Sequence, residues 1–135
     1  MVVGFVGLNI LARNHAQAML RFSDAGKRSP SPEALSMGEK LKMLLVGVNL
    51  PRPVGDQPVS DLKDQALVLE IPSSGGVSLE AWYSDAGAEA PLVILFHGYS
   101  AEKTSLLGEA KAFLEMGCSV MLVDFRGAGG SSENY

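Results

Sequence analysis

Two continuous apolar runs on either side of one helical segment constrain the fold of this chain more than any other feature. Residues 91–96 read PLVILF and residues 119–124 read SVMLVD. Apolar runs of this length without polar alternation are typical of strands buried on both faces of a parallel sheet. The segment between them has one apolar stripe at helical spacing, formed by Leu106, Leu107, Ala110, Phe113 and Leu114. Gly117 follows as a helix stop. The pattern predicts a right-handed βαβ unit and the α/β fold class.

Two shorter β-rich segments precede this unit. Residues 66–71 read ALVLEI, and residues 77–83 read VSLEAWY with partial alternation of apolar and polar side chains. Between them stands Pro72-Ser73-Ser74-Gly75-Gly76, which has the composition of a turn. The two segments therefore predict an antiparallel hairpin.

A helical leader is predicted before the hairpin. Residues 5–22 have helical composition without proline. A second helix has two candidate starts, Ser31-Pro32 with proline at the first helical position, and the capping box that begins at Ser36. This helix is expected to run to Val46 and to end at Gly47.

The domain organisation follows from these segments. Residues 54–63 are rich in Gly, Pro and Asp and are predicted to form a loop. We therefore expect a helical leader with a linker over residues 1–64 and an α/β domain over residues 65–135.

The apolar run at residues 1–12 leaves three interpretations open. It is shorter than the roughly 20 residues that a membrane-spanning helix needs, and it lacks the basic region and cleavage site of a signal peptide. It is followed by basic residues that only Asp24 opposes, a bias found beside membranes on the cytoplasmic side; these are Arg13, Arg21, Lys27 and Arg28. The run is the stump of an anchor, an interfacial helix or a core helix. Membrane association through residues 1–22 is one expectation, and the compartment, membrane or cytoplasm, stays open.

Composition argues against several classes of function. The chain has 11 basic and 15 acidic residues and a net charge of −4, so it lacks the basic excess of a nucleic-acid-binding protein. The single cysteine, Cys118, cannot close a disulfide within the chain or build a zinc site by itself. No metal and no cofactor is expected.

Two loops directly follow the apolar strands, where open α/β sheets bind their ligands. The first begins with His97-Gly98-Tyr99, and a glycine at this point lets the backbone aim following N–H groups at a developing oxyanion. The Tyr99 N–H is the candidate donor. The alternative is that Gly98 only makes a turn and His97 only satisfies hydrogen bonds of the loop.

The second loop, residues 124–131, contains a glycine cluster that does not fit nucleotide binding. A dinucleotide fingerprint that begins at Gly127 would need its third glycine at position 132, which is Ser132. No Gly-Lys-Ser/Thr sequence follows either, so a phosphate-binding loop is also excluded.

In combination, the segments PLVILFHGYSAEKTSLL and EAKAFLEMGCSVMLVDFRGAGGSS resemble the strand–HG–helix–strand–DxRGxGxS series of α/β-hydrolases. The upstream stretch PSPEALSMGEKLKMLLVGVNLPRP is similar to the leader of a bacterial subgroup of membrane-tethered members. The resemblance implies the N-terminal half of an eight-stranded, mostly parallel sheet. Its first four strands would be 66–71, 77–83, 91–96 and 119–124, with the fifth beyond Tyr135.

The resemblance also assigns roles to residues. His97, Gly98 and Tyr99 match the oxyanion loop of the family. The family's nucleophile lies on a G-x-S-x-G turn after the fifth strand, and the acid and then the histidine follow it. In the present chain, His97 comes before the position of the nucleophile, so it does not match the catalytic base of the family. Serines of the chain lack the G-x-S-x-G context, namely Ser100, Ser105, Ser131 and Ser132.

The second loop matches a family motif whose role is mostly structural. Asp124, Arg126 and Gly127 correspond to its fixed positions. Ala128 stands where related loops often have histidine, so any contribution of that side chain is missing here.

The resulting hypothesis is a serine hydrolase, esterase-like, that acts on an ester, amide or related acyl bond of a small-molecule substrate. Its nucleophile would lie beyond Tyr135, and the chain alone is expected to be inactive because no acyl-enzyme can form. One alternative is a dehalogenase or epoxide hydrolase with an Asp nucleophile on the same fold. The other is a non-catalytic half-domain, or interaction module, which would need to cover the edge of strand 91–96.

Overall fold

The protein is described here by a computed structural model, which covers residues 2–20, 22–23 and 28–133. The chain divides into two compact units, Met1–Arg52 and Pro53–Tyr135. We call them the helical unit and the sheet unit.

The predicted domains, 1–64 and 65–135, stay a prediction, since compactness alone does not define a domain. The segment 53–64 falls in the sheet unit. Part of the predicted basic flank, Arg21 and Lys27 with the opposing Asp24, lies outside the described residues.

The helical unit contains α1, Val2–Leu20, and α2, Met37–Val46. The capping box starts α2: the Ser36 side chain accepts a hydrogen bond from the Glu39 N–H, and the Glu39 carboxylate accepts one from the Ser36 N–H at 2.9 Å. The other candidate start gives only a 3₁₀ turn, Pro32–Ala34, because Leu35 is extended and interrupts the helix. Gly47, at φ 93°, ends α2 as predicted.

The two helices keep their apolar side chains near the surface. No side chain described in α1 or α2 is buried. The large exposed apolar residues are Phe5, Val6, Leu8, Ile10 and Met19 on α1 and Met37, Leu41, Leu44, Leu45 and Val46 on α2. Within the described residues, neither helix combines the length and the apolar character that crossing a bilayer requires.

In its described residues, 53–133, the sheet unit contains four strands and one α-helix. The strands are β1 (Leu67–Pro72), β2 (Ser78–Ser84), β3 (Leu92–Phe96) and β4 (Ser119–Val123), and α3 (Leu107–Glu115) lies between β3 and β4 in the chain. The strand order is β1-β2-β4-β3. β2 is antiparallel to both β1 and β4, whereas β3 and β4 are parallel. The α/β class and the hairpin followed by a βαβ unit are confirmed, with strand bounds shifted by one residue.

The end of α3 explains why the helix stops where the sequence predicts. Gly117 has φ 83°, and its N–H donates to Leu114 O at 3.0 Å. The Cys118 N–H donates to Phe113 O at 3.0 Å. This pair of hydrogen bonds is a Schellman motif, which needs a left-handed residue and so favours glycine.

One face of the sheet forms the core of this unit. Trp82, Val120 and Leu122 pack there with Ala110 of α3 and with Leu62. The opposite face of β3 stays open: Leu92, Ile94 and Phe96 are 48%, 47% and 55% exposed. β3 is also an edge strand among the described residues.

Candidate functional site

Because β3 and β4 are parallel, the loops at their carboxyl ends lie side by side. We call residues 97–102 the HG loop and residues 124–131 the DFRG loop. The sequence-predicted site residues all lie in the HG loop, and the DFRG loop supports them.

A tight turn forms the HG loop. The Ala101 N–H donates to Gly98 O at 3.3 Å, and Ser100 has φ 56°. A positive φ at the third of four turn positions is the signature of a type II turn, and it is uncommon for a residue other than glycine. Gly98 has no such φ, and a Cβ there would meet no atom within 4 Å. The sequence suggested that the sharp turn of this loop depends on the glycine at position 98. In the structure, the residue with the unusual positive φ is Ser100.

His97 connects the two loops. Its side chain is buried, with 6% of the residue exposed. Its Nε2 accepts a hydrogen bond from the Phe125 N–H at 3.1 Å, so the ring proton is on Nδ1, which donates to Gly98 O at 2.9 Å. The Asp124 carboxylate is 3.8 Å from Nε2, too far for a hydrogen bond. Both ring nitrogens are engaged within the loops, which suits a structural role for His97 and not that of a base.

The two hydrogen bonds that reach Gly98 O fix the direction of the next N–H. They come from the His97 ring and the Ala101 N–H. No peptide bond in the described chain is cis. In a planar trans peptide the C=O and the following N–H point in opposite directions. The Tyr99 N–H is thereby directed away from the His97 ring.

A buried ion cluster lies behind the HG loop. The Asp124 carboxylate is fully buried and accepts from the Lys103 N–H at 2.7 Å, the Gly130 N–H at 3.0 Å and the Lys103 ammonium. The Lys103 Nζ also lies 2.6 Å from Glu80 Oε1 and 4.9 Å from the centroid of the Trp82 ring. Only 4% of Lys103 is exposed.

The pKa of Lys103 reflects this environment. Burial disfavours the ammonium and lowers the pKa, but hydrogen bonds and charges of Asp124 and Glu80 outweigh burial and hold it above the ordinary value of 10.5. The folded-state pKa is raised, so the stabilisation is fully present below pH 10.5 and is lost as the pH rises through the folded-state value.

The glycine cluster of the DFRG loop packs against this carboxylate. Gly129 has φ 51°, and a Cβ there would lie 1.8 Å from Asp124 Oδ2. A Cβ at Gly130 would lie 2.1 Å from Glu80 Oε2. These glycines therefore allow the loop to close over two carboxylates, which accounts for the cluster without a nucleotide.

The serines of the DFRG loop bind backbone. The Ser131 hydroxyl is fully buried, donates to Asp124 O at 2.8 Å and accepts from the Glu80 N–H at 2.9 Å. The Ser132 hydroxyl accepts from the Ser78 N–H at 2.8 Å. Both satisfy N–H groups of β2, so neither is placed as a nucleophile.

Sequence reasoning missed part of this arrangement. Lys103 and Glu80 belong to no motif that the sequence suggested. One available signal was the register of β2, where Glu80 lies on the same face as the core residue Trp82. The segment read as a linker also contributes, since the Gly129 N–H donates to Pro53 O at 2.9 Å.

Aromatic side chains border the HG loop. The rings of Phe96 and Phe125 stack with centroids 5.5 Å apart, and the His97 ring meets Phe125 edge-on at 4.9 Å. Phe96 and Phe125 are about half exposed. The described residues contain no group of three or more His, Cys, Asp or Glu side chains arranged to hold a metal ion.

Solved structures are the comparison that gives matches to this chain. No protein-family model and no curated protein matches the sequence. Among solved structures, an esterase from Pyrococcus furiosus matches in three crystal forms, with 28%, 29% and 30% identity and TM-scores of 0.54, 0.55 and 0.55. The matches cover 63%, 64% and 65% of this chain. They cover 32%, 35% and 34% of the esterase, so the chain spans about a third of its length.

Proposed function

This chain has the fold of the N-terminal half of an α/β-hydrolase, and we propose that it supplies the oxyanion side of an ester-hydrolysing active site. The Tyr99 N–H donates to the oxyanion of the tetrahedral intermediate, within the HG loop formed by His97, Gly98 and their neighbours. A serine on a turn beyond Tyr135 attacks the acyl carbon. The substrate is a small molecule with an ester, amide or related acyl bond.

The observation that carries this proposal is the fixed direction of one peptide group. The two donors to Gly98 O hold the Gly98–Tyr99 peptide before any substrate arrives. A donor oriented in advance stabilises the transition state without paying for reorganisation during the reaction.

The esterase likeness and the local surface support an ester as substrate. The related solved structure is an esterase, and the matched segment includes about two thirds of this chain. The half-exposed rings of Phe96 and Phe125 provide an apolar surface beside the HG loop. Such a surface suits the apolar part of an ester substrate.

The function is tested on the reading frame extended past codon 135. We expect the extended protein to hydrolyse p-nitrophenyl acetate and to be labelled by a fluorophosphonate at a serine within G-x-S-x-G. The 135-residue chain is the control and should show neither activity nor labelling. An aspartate at that position would favour the dehalogenase or epoxide hydrolase alternative. A frame that stops at codon 135 would refute the hydrolase proposal and favour an interaction module.

Membrane association is the second part of the proposal. The sequence predicts it through residues 1–22, and the proposal includes α2 of the same helical unit. Residues 1–52 carry seven basic and three acidic side chains, whereas residues 53–135 carry four and twelve. The exposed apolar residues of α2 at positions 37, 41, 44 and 45 lie on one helical stripe. Basic charge beside an exposed apolar stripe favours binding at the surface of an anionic bilayer.

Vesicle sedimentation tests this association. Replacing Leu41 and Leu45 by Glu should weaken binding to phosphatidylglycerol vesicles by about tenfold or more, because each buried leucine contributes about 1.5–3 kcal/mol. Met116→Glu places one glutamate on an exposed apolar residue of the sheet unit and should leave binding unchanged. Equal sedimentation of all three proteins would contradict lipid binding through α2.

A further inference from the structure

We infer that Lys103 is a positioning residue of the HG loop: its bridge to Asp124 and Glu80 holds the peptide that carries the Tyr99 N–H. The catalytic meaning of this role rests on the proposed function. The structural role is separate and can be measured without a substrate.

The HG loop is attached to the DFRG loop at both of its ends. At the first end, the His97 ring accepts from the Phe125 N–H. At the second end, the backbone N–H and the ammonium of Lys103 both bind the Asp124 carboxylate. The turn that contains Tyr99 lies between these two attachments. Its position therefore depends on both of them.

The two attachments differ in strength. The contact of His97 is a neutral hydrogen bond, whereas Lys103 forms charge-assisted hydrogen bonds, which are roughly twice as strong. The Lys103 contacts are also shielded from water, because Asp124 is fully buried and Lys103 nearly so. The ion cluster is consequently the main attachment of the loop.

Lys103 is also the cation that allows two carboxylates to share this site. Asp124 follows β4 and Glu80 lies on β2, and the Asp124 N–H donates to Glu80 O at 2.9 Å. The Lys103 ammonium lies between their carboxylates. Without it, two like charges would face each other in a poorly hydrated place and would repel. Loss of the ammonium thus removes the ion pair between Lys103 and Asp124, and it leaves the Asp124 and Glu80 carboxylates to repel each other behind the HG loop.

Because Lys103 is buried, it can position the HG loop but cannot contact a substrate. A side chain with 4% exposure has no access to a substrate in the cleft. Its hydrogen bonds all end on Asp124 and Glu80. Lys103 can influence the reaction only through the HG loop, which it directly follows in the chain.

Hydrogen exchange on the full 135-residue chain tests the inference. In Lys103→Met, amide exchange over residues 98–101 should rise about tenfold or more, the effect expected for one lost charge-assisted hydrogen bond. Exchange at Val120–Leu122, in the buried strand β4, should change by no more than about twofold if the fold persists. Lys111→Met is the control, because Lys111 is exposed on α3, and it should change neither segment.

A milder variant covers the case in which Lys103→Met unfolds the sheet. Glu80→Gln keeps a hydrogen-bond acceptor and removes one charge, and it should raise exchange over residues 98–101 about threefold or more. Lys103→Arg keeps the charge and should restore part of the protection. Unchanged exchange over residues 98–101 in a folded Lys103→Met or Glu80→Gln would overturn the inference, and so would equal loss of protection in the Arg and Met variants.

The extended protein separates this inference from the proposed function. There, Glu80→Gln should lower kcat for p-nitrophenyl acetate and leave KM nearly unchanged, because an oxyanion donor acts mainly in the transition state. If exchange over residues 98–101 rises while kcat stays the same, the positioning by Lys103 stands and the oxyanion role of the loop is refuted.

Discussion

Tyr99→Pro is expected to lower kcat for ester hydrolysis about 10²- to 10³-fold in the extended protein, the effect of losing one oxyanion donor. Proline has no N–H, so the substitution deletes the proposed donor itself. Tyr99 is the second residue of the Gly98–Ala101 turn, a position that proline favours in type II turns. The turn should therefore survive the change. Steady-state kinetics with p-nitrophenyl acetate measures the effect.

The matched control is Tyr99→Ala, which removes the exposed phenol ring and keeps the N–H. It should retain kcat within about threefold, because the backbone N–H that is the proposed donor stays in place. Thermal melting of both variants checks that the fold is intact. If Pro and Ala at position 99 lower kcat equally, the N–H is not the donor and the proposed site is wrong.

The second large effect concerns stability and the buried ion cluster. Asp124→Asn should lower the free energy of unfolding by about 3–5 kcal/mol, the cost of removing one partner of a buried ion pair. The amide leaves Lys103 with one carboxylate in place of two, and it presents a donor toward the Gly130 N–H. The total free energy of unfolding of a typical domain is only about 5–15 kcal/mol. Urea denaturation followed by Trp82 fluorescence measures the loss.

Asp64→Asn is the control for this stability prediction. Asp64 is exposed in the sheet unit, and its substitution should change the free energy of unfolding by no more than about 0.5 kcal/mol. A loss below about 1 kcal/mol for Asp124→Asn would mean that the carboxylate is not essential to the cluster.

The sequence predicts the elements of this fold because their signals are local. Apolar runs, a helical stripe and a capping box each lie within a dozen residues, and the structure has β3, β4, α3 and α2 where these signals occur. The glycine stop at Gly117 follows from the same short-range chemistry.

The arrangement of the site is harder to predict from the sequence than the secondary-structure elements are. The HG loop could be recognised by its motif, but the partners of Lys103 come from β2 and from the end of β4, and no short pattern joins them. The positive φ of the HG loop falls on Ser100, a residue other than glycine. Intrinsic preference would have put that conformation on glycine. Such choices are decided by tertiary contacts, which sequence periodicity does not encode.

The strand order has a consequence for synthesis on the ribosome. β3 emerges before β4, yet β4 lies between β3 and β2 in the sheet. The nascent apolar strand Leu92–Phe96 therefore cannot pair with β4 until residue 123, the last residue of β4, has left the ribosome. At ordinary translation rates this delay is roughly one to five seconds, far longer than local collapse takes. During that interval β3 is an unpaired apolar strand, the kind of segment that is recognised by chaperones that bind short extended apolar peptides.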